Sequence, residues 1–168
     1  TTVTKGLVEP CPQDDVIVNL EFVGNNMRHP GVDIVDARTA PFYTGQQIPL
    51  RQHAGHIPGA VNIPYDSMLD AEGKFKSPLE LKVMLKAAGI RPGEKIVSYC
   101  HIGQQATVTY FVARYLGFDA RLYDGSWQEW SLNNELPREI SPKWPSMFDS
   151  GTEIARCRPN AQPSAATM

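Results

Sequence analysis

The fold is decided by one stretch of sequence, Lys95-Ile96-Val97-Ser98-Tyr99-Cys100-His101-Ile102-Gly103-Gln104-Gln105-Ala106. Residues 95–99 form a run of β-branched and aromatic side chains, which is typical of a buried strand. A short loop containing Gly103 follows, and residues 105–116 have the pattern of a helix that ends at Gly117. Because apolar residues cover most of the circumference of that helix, we expect it to be buried. The stretch therefore predicts a strand, a tight loop and a helix in direct succession.

Short apolar runs elsewhere in the chain alternate with helical patterns. Runs bounded by Gly, Pro or Asp predict further buried strands at residues 33–36, 60–63 and 120–123. Ser77-Pro78-Leu79-Glu80 is a capping box with proline at the first helical position, and it predicts a helix that ends at Gly89. This alternation predicts an α/β fold in which helices cover both faces of a parallel sheet. In such sheets ligands bind beyond the carboxyl ends of the strands, which is where Cys100 lies.

The two ends of the chain differ from its middle. Prolines cluster in both ends, and few apolar positions occur in the last part of the chain. We therefore expect a linker or N-terminal extension at residues 1–15, one folded domain at residues 16–138 and a C-terminal tail at residues 139–168. A chain of 168 residues is long enough to bury one core without staples.

The composition argues against several classes of protein. The formal net charge is −2 and the basic residues are scattered, so we do not expect a nucleic-acid partner. No apolar run approaches the ~20 residues that span a bilayer, so we predict a soluble protein without a membrane span. The sequence does not fix the compartment, and we favour the cytoplasm over the periplasm.

The chain has three widely spaced cysteines, Cys11, Cys100 and Cys157, and no CxxC pair. This spacing argues against a zinc site and against a dense disulfide framework. A disulfide between Cys11 and Cys157 stays open, because the ends of a domain often lie close together. Two ordinary surface cysteines are the favoured interpretation, and at least one thiol is free in either case.

Cys100 lies where a thiolate would be stabilised. Successive backbone N–H groups of the loop and the N-terminus of the following helix point toward an anion at the loop centre. Gly103 allows the backbone to turn back on itself without a Cβ clash. A buried cysteine acting as a small hydrophobic residue explains the position equally well when the loop is considered alone.

Four motifs in order resemble the rhodanese family, over about residues 16–137. They are Val35-Asp36-Ala37-Arg38, Gly55-His56-Ile57-Pro58-Gly59-Ala60-Val61-Asn62-Ile63-Pro64, Cys100-His101-Ile102-Gly103-Gln104-Gln105-Ala106 and Tyr123-Asp124-Gly125-Ser126-Trp127-Gln128-Glu129-Trp130. The resemblance implies a rhodanese-like three-layer domain with a five-stranded parallel central sheet. It also implies transfer of sulfane sulfur through a Cys100 persulfide, without a metal or an organic cofactor.

The similarity is greatest to the catalytic C-terminal domain of tandem thiosulfate and 3-mercaptopyruvate sulfurtransferases. This implies a further partner, an inactive N-terminal rhodanese domain on the same precursor or on a separate chain. It also implies a small anionic sulfur donor, with cyanide or a thiol as the acceptor.

The resemblance makes Cys100 the nucleophile at the head of a six-residue active-site loop. The substrate-binding residues that it implies in this loop are His101, Ile102, Gly103, Gln104 and Gln105. Thiosulfate-using members tend to place basic residues directly after the cysteine, and mercaptopyruvate-using members small ones. This chain has His101 and Ile102 at these positions, so thiosulfate, 3-mercaptopyruvate and polysulfide all stay open as donors.

Arg51 is the candidate to bind an anionic donor, since a guanidinium can bind a sulfonate or carboxylate through two hydrogen bonds. Mercaptopyruvate enzymes usually carry an arginine where this chain has Phe42. A position on a solvated loop is the other interpretation of Arg51.

Four further polar residues have predicted roles around the loop. We interpret Asp36 and Arg38 as architectural, and His56 as a residue that fixes a loop by a hydrogen bond. His101 in its cationic form would steer an anionic donor toward Cys100.

Two other function classes remain for comparison. Cysteine phosphatases and arsenate reductases also bind an oxyanion in a cysteine loop, but they need an arginine six residues after the cysteine, where this chain has Ala106. The second alternative is a catalytically weak rhodanese module that acts as a protein-interaction or sulfur-carrier domain. The presence of Cys100 disfavours an inert module.

Overall fold

Five short strands form one parallel sheet among residues 15–141, which are the residues that the computed structural model describes. The strands are β1 (Ile17–Val18), β2 (Val32–Asp36), β3 (Val61–Asn62), β4 (Lys95–Tyr99) and β5 (Asp119–Tyr123). Their order across the sheet is β1-β5-β4-β2-β3, and every neighbouring pair is parallel. The four predicted strands are confirmed, although β3 is shorter than the run at residues 60–63 that predicted it.

Helices connect these strands. They are α1 (Leu20–Asn26), α2 (Ala40–Tyr43), α3 (Pro78–Ala87), α4 (Ala106–Tyr115) and α5 (Ser126–Leu132), with a 3-10 helix at Tyr65–Met68. The capping box that predicted α3 is present, since the Glu80 carboxylate accepts the Ser77 N–H at 2.9 Å and Ser77 Oγ accepts the Glu80 N–H. The helix predicted at residues 105–116 is α4.

The sheet separates two hydrophobic clusters, because successive side chains of a strand point to opposite faces. On one face Val35 and Ile96 pack with Leu85 of α3 and Val112 of α4. On the other face the buried residues come from α1, from α5 and from the alternate strand positions, and they include Val23, Ile34, Val97, Trp127 and Trp130. The three-layer α/β architecture that the sequence predicts is thus confirmed.

Helix α4 is not buried on all sides, so that expectation was wrong. Only the stripe of Ala106, Thr109, Val112 and Ala113 is buried. Phe111 and Tyr115 are 50% and 62% exposed, and their rings stack on each other on the outer surface. An outer-layer helix needs only one face against the sheet, and aromatic residues beyond that face can pack against one another.

Several predictions fall at the limits of the described range. Cys11, Cys157 and the disulfide between them lie outside it, as do most of the predicted extension and tail. Near the C-terminal limit, His56 and Glu139 exchange two backbone hydrogen bonds of 2.9 and 3.0 Å, so ordered packing extends to Glu139. Between residues 15 and 141, none of the helices is both long and apolar enough to cross a membrane.

Candidate active site

Cys100 directly follows β4 at the carboxyl edge of the sheet. It is a free cysteine and only 1% exposed. Its cluster of buried neighbours consists of Ala37, Ala106 and Leu122, and the half-buried Tyr65 and Tyr110 pack against this cluster. The thiol therefore lies beneath the start of α4, in an apolar setting that two phenol rings border.

The carbonyl groups at the start of the cysteine loop are bound to the first turn of α5. The Cys100 carbonyl accepts the Trp127 N–H at 2.9 Å, and the His101 carbonyl accepts the Gln128 N–H at 3.1 Å. The N–H groups of residues 101–105, in contrast, donate to no acceptor within residues 15–141. The loop thus has its first carbonyls satisfied and five successive amides unpaired.

The planarity of the peptide bond links the bound carbonyls to the unpaired N–H groups that follow them. In a trans peptide the C=O and the following N–H point in opposite directions. Because the carbonyls of Cys100 and His101 point at α5, the N–H groups of His101 and Ile102 point away from it. Unpaired amides in such a turn form a concave site that stabilises an anion. The loop therefore has the hydrogen-bond donors that a thiolate or persulfide needs.

Two residues next to the loop shape it from outside: Asp124, in the β5–α5 connection, and Ser126, the first residue of α5. Ser126 Oγ accepts the Cys100 N–H at 3.1 Å and donates to the Tyr123 carbonyl at 2.9 Å. Gly103 has φ +92°, and a Cβ atom there would lie 2.4 Å from Asp124 Oδ1. Glycine is therefore required at position 103 both for its backbone conformation and for the close approach of Asp124.

A buried ion pair lies next to the loop. Arg38 and Asp36 are both fully buried, and Arg38 donates from Nε at 3.0 Å to Oδ1 and from Nη2 at 2.6 Å to Oδ2. The Tyr99 hydroxyl donates to Asp36 Oδ2 at 2.7 Å, and Arg38 Nη2 donates to the Gly55 carbonyl at 2.8 Å. The guanidinium carbon is 4.7 Å from the centre of the Trp127 ring. Asp36 and Arg38 thus connect β2, β4, α5 and the segment before β3.

The charges of this pair affect the neighbouring titratable groups. Burial acts to lower the pKa of Arg38, but the charge of Asp36 and its hydrogen bonds outweigh burial and raise that pKa above its usual value. Burial, followed by the charge of Asp36, raises the pKa of Tyr99 well above its usual value. Arg38 is therefore cationic and Tyr99 is a neutral donor at physiological pH. The Arg38 charge is largely neutralised by Asp36.

His56 and His101 lie in different surroundings. His56 is buried, stacks on Tyr43 with ring centres 3.7 Å apart, and bonds the Tyr43 carbonyl through Nδ1 at 2.8 Å. His101 is half-buried and meets Phe42 edge-on with ring centres 4.6 Å apart. Burial and then the charge of Arg38 lower the pKa of His101, so the ring is mainly neutral at pH 7. His56 therefore joins two segments of the chain, whereas His101 lies at the mouth of the site.

Arg51 lies in the segment that crosses this edge of the sheet. Its backbone has φ +61° and its side chain is exposed, and the guanidinium makes no hydrogen bond or ion pair with any residue of the described range. The same segment is fixed two residues later, where the His53 carbonyl accepts Trp127 Nε1–H at 3.0 Å. The backbone near Arg51 is thus held by the bond from Trp127 to His53. The Arg51 guanidinium has no charged partner among the described residues.

The other predicted loop residues differ in exposure. Ile102 and Gln104 are exposed, Gly103 is buried, and Gln105 is half-buried with an Oε1 atom that has no partner in the described structure. Ser126, Trp127 and Tyr99 have no role predicted from the sequence, although all three contact the loop or the ion pair. The Gly-Ser-Trp run at residues 125–127 was the available signal, but its contact with Cys100 depends on the tertiary fold.

Comparison with known proteins identifies the fold. The family described as "Rhodanese-like domain" matches residues 20–133. The thiosulfate sulfurtransferase of Corynebacterium glutamicum is 34% identical over 146 residues, which cover 79% of this chain and 46% of that protein. The sulfur carrier protein TtuD of Thermus thermophilus is 38% identical over 106 residues, or 58% of this chain and 37% of that protein. The chain thus spans less than half the length of these relatives.

Among solved structures, the anaerobic ergothioneine biosynthesis enzyme of Chlorobium limicola superimposes with a TM-score of 0.71 at 24% identity, over 76% of this chain and 32% of that one. At this identity the likeness concerns the fold alone. The family match extends from α1 to the end of α5 and includes β2 to β5 and the whole cysteine loop. With the sequence relatives and the parallel five-stranded sheet, it shows that this chain belongs to the rhodanese family.

Proposed function

We propose that this chain is a sulfurtransferase that carries sulfane sulfur as a persulfide on Cys100. The observation that carries the proposal is the set of five unpaired N–H groups at residues 101–105, next to the only free cysteine of the described residues. Such donors stabilise the negative charge that a sulfur atom bears before and after transfer. The names of the sequence relatives support the same activity.

The first step is a displacement at sulfur. The Cys100 thiolate attacks the outer sulfur of a donor such as thiosulfate and forms a new S–S bond. The bond between the outer sulfur and the sulfonate sulfur breaks, and sulfite leaves with its electron pair. In the second step cyanide or a thiolate attacks the outer sulfur of the persulfide, and Cys100 leaves as the thiolate. Both steps are two-electron displacements in which the cysteine is the nucleophile or leaving group, so no metal or organic cofactor is required.

The positive charges near the loop bear on the choice of donor. The loop itself has no Lys or Arg, Arg38 is paired with Asp36, and His101 is mainly neutral at pH 7. A doubly charged donor such as thiosulfate would therefore depend on the loop amides and on Arg51. 3-Mercaptopyruvate and polysulfide remain alternative anionic sulfur donors. An inactive N-terminal rhodanese domain is the proposed partner, since the relatives extend well beyond the region matched here.

The test is to replace the nucleophile and to locate the transferred sulfur. Cys100→Ser should lower kcat/KM for thiocyanate formation by about a thousandfold or more, because the substitution removes the thiolate from a nearly unchanged site. Circular dichroism and thermal unfolding establish that the variant is folded. Mass spectrometry of the wild type after incubation with thiosulfate should show one added sulfur on the Cys100 peptide, removable by cyanide. Activity in Cys100→Ser, or the added sulfur on Cys11 or Cys157, would overturn the proposal.

A sulfur-carrier module is the second candidate, and the similarity to TtuD favours it. In that case Cys100 still forms a persulfide, but a protein thiol receives the sulfur much faster than cyanide does. A comparison of the rates at which cyanide, dithiothreitol and cysteine-containing peptides discharge the same persulfide separates the two candidates.

A further inference from the structure

A groove of about 330 Å³ runs beside the cysteine loop, between Ile102 and the outer face of α5. The residues that line it are Ile102, Asp124, Gly125, Gln128, Glu129 and Leu132. Ile102 and Leu132 are 53% and 54% exposed. The groove therefore presents two aliphatic side chains to solvent beside the cysteine loop.

The charged residues of the groove are all acidic. Asp124 and Glu129 line it together with the two aliphatic side chains, and no Lys or Arg is among the lining residues. The Glu129 carboxylate is fixed in place, because it accepts the Tyr123 hydroxyl at 2.7 Å. An acidic surface repels small anionic donors, so their capture does not explain this groove. It is complementary to a surface that combines apolar and basic side chains.

The groove and the cysteine loop form one structural unit. Ile102 is two residues from Cys100, so their Cα atoms are no more than about 7.6 Å apart, twice the step between successive Cα atoms. The Gln128 N–H donates to the His101 carbonyl at 3.1 Å, which joins the floor of the groove to the loop. An extended chain covers about 3.3–3.6 Å per residue, so a segment in the groove needs only two or three further residues to span this Cα–Cα distance.

From these observations we infer that the groove binds a polypeptide segment with apolar and basic side chains, whose cysteine receives the sulfur from Cys100. This inference rests on the proposed function and specifies its acceptor as a protein thiol. The thiolate of the segment attacks the outer sulfur of the Cys100 persulfide and forms a new S–S bond. The bond from the outer sulfur to Cys100 Sγ breaks, and Cys100 leaves as the thiolate with that electron pair. The segment thus becomes the persulfide, with no oxidant or reductant consumed.

The test uses two acetylated hexapeptides as acceptors, one beginning Lys-Leu-Lys and the other Glu-Leu-Glu, both ending Gly-Gly-Cys. Each discharges the preformed Cys100 persulfide, and mass spectrometry follows the peptide persulfide. Each rate is divided by the rate of the same peptide with a small disulfide, which corrects for thiol reactivity. We expect the basic peptide to have a corrected kcat/KM about tenfold above that of the acidic peptide, and added salt to reduce the ratio.

Matched leucine variants localise the effect. Leu132→Lys places a cation in the groove and removes one aliphatic side chain, so the preference for the basic peptide should fall at least about threefold. Leu79→Lys is the control, because Leu79 is 73% exposed on α3, on the other face of the sheet. Both variants should form the persulfide from thiosulfate and lose it to cyanide at the wild-type rate.

The outcomes separate this inference from the proposed function. Equal corrected rates for the two peptides, or equal losses in Leu132→Lys and Leu79→Lys, would refute the groove as a docking site while persulfide formation continued. Failure of the wild type to form any Cys100 persulfide from thiosulfate or polysulfide would refute both.

Discussion

Two strand-to-helix connections lie side by side at the carboxyl edge of the sheet, and they use their backbone amides in opposite ways. The β4–α4 connection, residues 100–105, leaves five N–H groups without a partner among residues 15–141. In the β5–α5 connection and the first turn of α5, the Trp127 and Gln128 N–H groups donate to the carbonyls of the first connection. The amides of residues 101–105 are therefore available to an anion, whereas the Trp127 and Gln128 amides in the first turn of α5 are already occupied.

This difference shows how a backbone anion site is built in this fold. A helix N-terminus attracts a negative group only while its amides are free. Here the Trp127 and Gln128 amides of α5 bind the first two carbonyls of the cysteine loop and orient them. The amides of that loop then remain available to an anion at Cys100. The reactive centre thus depends on two loops, of which only one contains the cysteine.

Of the substitutions in the two connections, we expect Gly103→Ala to lower activity most. The substitution places a Cβ atom 2.4 Å from Asp124 Oδ1 at a backbone φ of +92°, so the loop must shift. A displacement of about 1 Å at a reacting group costs on the order of a hundredfold, and we expect kcat/KM to fall by about that factor. Steady-state thiocyanate formation measures it.

Gly73→Ala is the matched control for Gly103→Ala. Gly73 has a similar φ of +76°, but nothing lies within 4 Å of a Cβ atom there. Its substitution should cost stability through backbone strain alone and leave kcat/KM within about twofold of the wild type. If both variants lost activity equally, the specific fit of the loop against Asp124 would be contradicted.

Ser126→Ala should lower activity less than Gly103→Ala does. The substitution removes the acceptor of the Cys100 N–H. A buried amide left without a partner costs about 1–3 kcal/mol, so the free energy of unfolding should fall by that amount in denaturant titrations. We expect kcat/KM to fall about tenfold, because the start of the loop is no longer fixed to α5.

Ser131→Ala sharpens this test within the same helix. Ser131 is also buried, but its Oγ has no hydrogen-bond partner among the described residues. Removal of an unpaired buried hydroxyl should leave stability unchanged or raise it slightly. Equal destabilisation by the two serine substitutions would show that the bond from Cys100 to Ser126 contributes little.

The smallest effect concerns the pH dependence of thiosulfate use. Burial and Arg38 lower the pKa of His101, so the cation that would attract thiosulfate accumulates only below the usual histidine range. We expect kcat/KM for thiosulfate to be flat at neutral and higher pH and to rise only as the pH falls below the usual histidine range, where the His101 cation forms. His101→Gln should abolish the rise.

His101→Arg provides the complementary measurement at pH 7.5. A fixed charge at this position should raise kcat/KM for thiosulfate by about threefold to tenfold, since an exposed charge pair is worth roughly one kcal/mol. An unchanged or lower efficiency would mean that the side chain at position 101 points away from the donor, and that the loop amides and Arg51 bind it.

The parts of the fold that were predictable have strong local signals. The capping box at Ser77 identified α3, and the apolar run before Cys100 identified β4. Strand β1 has only two residues, too few for a periodic pattern, and was not identified. Helix α1 was missed despite Asn19, whose Oδ1 accepts the Phe22 N–H at 2.9 Å. Helix α5 was missed because no side chain caps its N-terminus.

The candidate site also has features that the local sequence predicts and features that depend on the tertiary fold. Cys100 and its loop were identified because a strand, a glycine turn and a helix follow one another within a few residues. The bonds from Trp127 and Gln128 to the loop join residues that are distant in sequence, so the pattern of either segment alone does not indicate them. The lowered pKa of His101 likewise comes first from burial and then from the charge of Arg38, and only the fold produces both.

The position of β1 has a consequence for biosynthesis. Ile17 lies opposite Leu122, so the first strand of this domain must wait for the last strand of the domain before it can pair. At about 5–20 residues per second, the intervening hundred or so residues take about 5–20 s to synthesise. During that time α1 and β1 have no sheet edge to join, and the nascent chain exposes the apolar residues that β5 and α5 later cover. Domain closure is therefore a late, C-terminal event, and truncation before β5 should leave a chain that chaperones bind rather than a smaller folded domain.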